Sequence, residues 1–310
     1  MFAAMQVARS ALAAGGLAAT SLLSFCTPPG TGPAEPLPVT CGTDGKRLDG
    51  VGLTADGSLV CFDDKDPAEE VSLGRVVGLA DEELVGIDFR APFIDAAGVR
   101  NGVPAGGTLY GLGSAGGVYS IEINDVDAST ALATRRVQLD QALTGSSFGI
   151  DFNPTVDRLR IVSDSGQNLR ANVDTGVTVV DGSLNTLGVA TTGVVAAAYT
   201  NNDTDPFTGT TLYDIDATLD QVVLQSPPNA GGLTPVGLLG ADTGPAVGFD
   251  LYSSVREVGG GTTTVGLTGW ASLDVGGTTG LYSITPFSGR VSLLGQFDVP
   301  IIDIAIPLQQ

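Results

Sequence analysis

Three arginines, Arg158, Arg160 and Arg170, fall within thirteen residues of a chain that carries only 14 Lys plus Arg in 310 residues. They stand in FGIDFNPTVDRLRIVSDSGQNLRANVDTG, Phe148–Gly176, among Asp, Asn and Gly. The arginine fork matches a carboxylate through two parallel hydrogen bonds, which a lysine ammonium does not reproduce. Two chemistries follow. One is an arginine-lined patch for an anionic or polar ligand, for example a carboxylate-bearing glycan, with Asp164 and Asn168 as further polar contacts. The other is an internal Arg–Asp lattice, with Asp151, Asp157 and Asp174 near in sequence as partners. A turn centred on Ser165 sets Arg160 directly opposite Arg170, where like charges repel unless carboxylates interleave.

A second set is defined by repetition. Asp88, Asp151, Asp250 and Asp303 each sit in a copy of one short motif: VGIDFR, FGIDFN, VGFDLY and, more loosely, IIDIAI. Carboxylates brought together from such copies could hold a divalent cation such as calcium through oxygen. A residue that recurs in nearly every copy more often fastens the copies together, by accepting backbone N–H bonds from its neighbour. No cofactor is expected on the second reading.

Catalysis finds little support. The chain has no histidine, which removes the commonest general base, the Ser-His-Asp arrangement and the commonest zinc ligand. Glycoside hydrolysis needs two unique acids, and Asp157, Asp164 and Asp174 are candidates without a distinguishing feature. One Trp (Trp270) and 6 Tyr offer few faces for stacking on sugars. TNNDTD (Thr200–Asp205) and NDVDAS (Asn124–Ser129) lack the spacing of a calcium loop, and no glycine pair has a phosphate-loop context. No catalytic residue is assigned; a carboxylate-dependent hydrolase is the alternative.

The net charge of −20 repels a phosphate backbone, so nucleic acid is excluded as a partner, and an acidic surface keeps an exported monomer soluble. Residues 1–25 read as an export signal: Arg9, then the uncharged run ALAAGGLAATSLLSF, too short to span a bilayer comfortably. Cys26 follows at the place of a lipid-modified cysteine, so membrane contact is expected only through the signal or such an anchor. Residues 26–41 form a Pro/Gly-rich linker, and Cys41 and Cys61 can pair in an oxidising compartment. Periplasm, cell surface or medium is the expected location.

The elements that must position these residues are short strands. The 44 glycines and 17 prolines carry no collagen period and are spread among Val, Leu and Ile, which suits many strands and tight turns. Besides the GIDF motif, a second recurs as GVYSIEI (Gly117–Ile123), TLYDID (Thr211–Asp216) and GLYSIT (Gly280–Thr285). A third closes units near Val77, Gly237 and Leu294. The spacing suits propeller blades: an all-β, propeller-like domain over 42–307, of five four-stranded blades, with the terminal strand 299–307 returning to the first blade and leaving no open edge. The run VVAAAYTNN fits either the first or the second strand of the fourth unit.

GIDFRAP, LYGLGS, the Phe148–Gly176 stretch, AAAYTNN, TLYDID and QSPPNAGGLTPVGLLG, in this order, resemble the bacterial family of domain of unknown function 4394. The resemblance covers about residues 45–307. It implies an exported, propeller-like protein and supplies no catalytic residue; the residues themselves read best as a non-catalytic binding or structural module at the bacterial envelope, with an adhesion or matrix component as a further alternative.

Overall fold

Alternating apolar residues between Gly, Asp and Pro turns fold here into antiparallel meanders, because each strand buries one row of side chains and needs a neighbour for its backbone. The computed structural model describes residues 40–41, 46–47 and 49–308, apart from 105, 124–129, 203–208 and 259–260. The chain divides into Met1–Glu35 and Pro36–Gln310. Residues 1–25, read as an export signal, Cys26, all of NDVDAS and the last three residues of TNNDTD lie outside the described residues. No helix among the described residues is long and apolar enough to cross a membrane.

The short strands β1 (Thr40–Cys41) and β2 (Lys46–Arg47) pair with each other. Four antiparallel groups of four follow in chain order. The first runs through β6 (Leu84–Arg90), β7 (Thr108–Gly113), β8 (Gly117–Ile123) and β9 (Thr130–Gln138). Next come β10 (Phe148–Asn153), β11 (Arg158–Ser163), β12 (Asn168–Ala171) and β13 (Thr178–Val180). After the small hairpin of β14 (Asn185–Thr186) and β15 (Val189–Ala190) come β16 (Val194–Tyr199), β17 (Leu212–Asp216), β18 (Gln221–Gln225) and β19 (Gly232–Leu238). The last is β20 (Val247–Val258), β21 (Gly261–Val275), β22 (Thr278–Ile284) and β23 (Val291–Gln296). The remaining group joins both ends of the domain. There β24 (Ile301–Ala305) pairs antiparallel with β3 (Gly50–Thr54), ahead of β4 (Ser58–Phe62) and β5 (Val71–Val77).

The innermost strands of these groups contact one another in a cycle: β6 with β10, β10 with β16, β16 with β20, β20 with β24, and β24 with β6. This is an all-β, propeller-like arrangement. Edges are covered further out as well, where β5 pairs parallel with β9 and β14 with β19. Inner strands are packed on both faces, so VVAAAY of β16 is buried throughout, whereas β5 and β9 show intermittent exposure. Close approach explains the glycine of the GIDF motif. A Cβ on Gly149 would lie 2.5 Å from Ala196 Cα, and one on Gly248 2.5 Å from Ile304 N.

Two sequence expectations change. VVAAAY is the innermost strand of its group, which settles that ambiguity. TLYDID forms the second strand, β17, while GVYSIEI and GLYSIT form third strands, β8 and β22. Second and third strands are both sandwiched between neighbours, so the same apolar alternation suits either place.

Candidate functional site

The inner strands bring the repeated aspartates to one ring. Each carboxylate reaches the backbone of the next strand round. Asp303 Oδ2 accepts from Ile87 N at 2.8 Å, Asp88 Oδ2 from Phe152 N at 2.7 Å, and Asp250 Oδ2 from Ile306 N at 2.5 Å. Asp151 accepts from the backbone of Tyr199. The second oxygens of Asp88, Asp250 and Asp303 accept from the N–H of the following residue, at 2.6, 2.6 and 2.9 Å. One seam remains, between β16 and β20. Asn202 bridges it, with Oδ1 accepting from Ser253 N at 3.0 Å and Nδ2 donating to Leu251 O at 3.3 Å. The sequence reading missed Asn202, because it lies beyond the strand end and outside the motif.

The four aspartates are 5–7% exposed. Ligand oxygens of Asp88, Asp151 and Asp250 lie within 4.8 Å of one another, at the floor of a small recess that Phe89, Tyr199, Asn202 and Leu308 also line. Burial pushes Asp88, Asp151 and Asp303 well above the ordinary carboxylate range, and repulsion from Asp250 adds to this in all three. Burial raises Asp250 to about 7. Charge this concentrated must be offset by protons or by a cation. A calcium ion takes six to eight oxygens, whereas these carboxylates already serve backbone N–H groups, so protons are the simpler fit. Asp49, Asp63 and Asp64 form a second acidic group, partly buried at the surface.

The arginine stretch is arranged otherwise. In the β11–β12 register Arg160 does face Arg170, and the carboxylate between them is Asp181. Its Oδ2 lies 2.7 Å from Arg160 Nη1 and 2.6 Å from Arg170 Nε. Arg160 is 1% exposed. It also donates to Asn168 Oδ1 at 2.6 Å, Asn229 Oδ1 at 2.9 Å and Tyr199 OH at 3.3 Å, so it ties β11 to the group that follows. Asn168 is buried too, and its amide donates to Gly182 O and Pro228 O. Arg170 keeps 30% side-chain exposure. Arg158 stands apart, donating to the carbonyls of Val156 and Asp157. Asp164 is further off in a turn, accepting from Ser146 N at 2.8 Å. The five residues therefore do not share one surface.

Asp157 and Asp174 pair with a residue the sequence reading passed over. Arg90, at the end of β6, donates from Nε and Nη2 to Asp157 at 2.8 and 2.6 Å. It reaches Asp174 from Nη1 and Nη2 at 2.8 and 2.7 Å. Its guanidinium lies 5.7 Å from the centre of the Tyr110 ring. Burial works against its charge, but the two aspartates outweigh it and push its pKa up, while Arg90 holds Asp174 below the usual range. The signal lay in GIDFR itself, where only one copy of the motif ends in arginine.

Cys61 is disulfide-bonded and fully buried. The side chains of Cys41 and Cys26 lie outside the described residues.

A model of one protein family matches residues 58–305. The chain belongs to the family described as Domain of unknown function (DUF4394). No curated protein matches it. Among solved structures, this DUF4394 chain is similar to an auxiliary nutrient binding protein from Bacteroides ovatus at 17% identity and a TM-score of 0.34, covering 64% of this chain. It spans about half, 48%, of that protein's length. A Lactobacillus plantarum protein matches at 12% identity and a TM-score of 0.37, over 84% of this chain and 100% of that one. BamB from Moraxella catarrhalis matches at 13% identity and a TM-score of 0.27, over 78% and 69%.

Proposed function

We propose that this DUF4394 protein is an exported, monomeric propeller of five four-stranded blades, closed by β24, that works as a non-catalytic binding or structural module at the bacterial envelope. One observation carries the reading: Arg90, Arg160 and the ring of aspartates each bond across to a neighbouring blade. Arg90 fastens the β6–β9 blade to the β10–β13 blade through Asp157 and Asp174. Arg160 fastens the latter to the β16–β19 blade. The ring of aspartates fastens the inner strands. Side chains held in the scaffold by several hydrogen bonds each are poor general acids or nucleophiles.

A hydrolase is the competing reading, favoured by three carboxylates of raised pKa at the floor of a recess. Against it, each oxygen of Asp88 and of Asp250 already accepts a backbone N–H, which ties both carboxyls to the scaffold. The test uses the full chain with a panel of neutral and uronate-containing glycans, with calcium or a chelator. Both binding and release of new reducing ends are measured. The module reading expects binding without turnover, or neither; turnover abolished by Asp250→Asn overturns it. If an anionic glycan binds, Arg158→Ala and Arg170→Ala are the variants expected to weaken it, because those two arginines reach solvent.

A further inference from the structure

Asp214 is buried without a partner. It sits in the middle of β17 at 0% exposure, and neither Oδ1 nor Oδ2 accepts a hydrogen bond from the described residues. On the neighbouring strand β18, Gln225 is 1% exposed and its Oε1 is likewise unpaired, although its Nε2 donates to Pro228 O and to Asn168 Oδ1. Three buried acceptor atoms on one blade therefore lack donors.

The register places these atoms. Tyr199, Leu212 and Gln225 align in one row across β16, β17 and β18, and Ala197, Asp214 and Val223 align in another, two residues along. Side chains two apart on a strand share a face. Asp214 and Gln225 thus look the same way, toward the β10–β13 blade, where Val162 packs with Ala197, Leu212 and Val223. Arg160 lies over that face, reaching Tyr199 at one end and Asn229 beyond β18 at the other. Burial pushes the Asp214 carboxyl well above the ordinary carboxylate range and the Arg160 charge offsets only part of that rise, and no ion pair forms between them within 4.0 Å. A guanidinium has five N–H donors. The Nε hydrogen goes to Tyr199, the Nη1 hydrogens go to Asn168 and Asp181, and Nη2 has one partner, Asn229. One buried Nη2 hydrogen is left over.

We infer that an internal water site lies in this seam, where at least one water accepts from Arg160 Nη2 and donates to Asp214 and to Gln225 Oε1. A water has two donors and typically makes about three hydrogen bonds in a protein interior, which matches one spare donor and two spare acceptor side chains. The bridge links Arg160 and Asp214 by a water-mediated hydrogen bond between two blades. An apolar void would leave all these groups unsatisfied, each at the full cost of desolvation.

A crystal structure of the full chain at a resolution that shows ordered water decides the matter. The expected result is a water within hydrogen-bond distance of both an Asp214 oxygen and Arg160. Direct Arg160–Asp214 contact, direct Asp214–Gln225 oxygen contact, or a dry seam would each overturn the inference. Oxygen-17 magnetic relaxation dispersion gives a readout in solution: Asp214→Leu is expected to lose at least one long-lived water relative to the parent, and Asp214→Asn to keep it. An unchanged signal in a folded Asp214→Leu protein counts against the site. Should that variant not fold, the crystal structure of the parent still decides.

Discussion

Replacing Asp250 by Asn should flatten the pH dependence of stability. Asp250 begins at an ordinary value of 3.8 and is raised to about 7 in the fold. Between those values the folded state holds a proton that the unfolded chain releases. The folded state therefore binds more protons, and stability falls as pH rises through the folded pKa. The full effect is about 4 kcal/mol, from roughly three pKa units at about 1.36 kcal/mol each. Between pH 5 and pH 8 it amounts to about 2.5 kcal/mol, because part of the window lies below pH 5. Asp88, Asp151 and Asp303 are raised in the same sense, so the parent protein should lose stability over this range by at least that amount.

The assay is urea unfolding at several pH values, with a chelator present so that protons alone offset the ring. Asp250→Asn keeps the shape but presents an amide to one of two backbone N–H groups, Leu251 or Ile306, and should cost about 1–3 kcal/mol at pH 5. It also removes the charge that raises the other three aspartates. The variant should thus be the less stable protein at pH 5, with the gap closing or reversing by pH 8. The exposed Glu82→Gln controls for net charge and should run parallel to the parent. Parallel lines for the parent and Asp250→Asn, or a parent that gains stability from pH 5 to pH 8, would refute the reasoning.

Three further perturbations test other positions. Arg90→Met leaves Asp157, 8% exposed, as a buried charge without its partner, and should cost about 3–5 kcal/mol in chemical unfolding. Arg158→Ala should shift the same curve by less than about 0.5 kcal/mol, since its donors meet only carbonyls near the surface. Gly149→Ala drives a methyl onto the Ala196 backbone and should cost at least about 1–3 kcal/mol, with hydrogen exchange rising along β10 and β16.

The strand pattern was legible because inner strands repeat Gly and Asp for reasons that act on every copy: close backbone approach and a carboxylate for the next strand's N–H. The same regularity hid the fourth copy. Ala197 sits within VVAAAY on β16, which carries no aspartate, and the latch is supplied from Asn202 instead. Nothing in VVAAAYTNN marks one asparagine as doing an aspartate's task, since the substitution depends on where the chain turns after Tyr199. The arginine pairings were legible only in kind. Sequence proximity pointed to Asp151, Asp157 and Asp174, but Asp157 and Asp174 pair across a seam with Arg90, 67 residues from Asp157, while Arg160 and Arg170 share Asp181 within their own blade. Asp151 stands directly opposite Arg160 in the register and forms no ion pair with it.

That last pair shows how the fold divides its charges. Asp151 and Arg160 lie opposite one another in neighbouring strands, so a bond between them would join residues of one blade, which the ladder already joins. Each is used outward instead. Asp151 takes the backbone N–H of Tyr199, Arg160 takes the Tyr199 hydroxyl, and both bonds land on β16 of the next blade. The ladders give strong joints within each group of strands, and backbone pairing between groups is confined to outer strands such as β5 and β9. Polar side chains earn their burial where they supply the missing joint, and Asp214, facing the same seam, is therefore the residue whose partner most needs to be found.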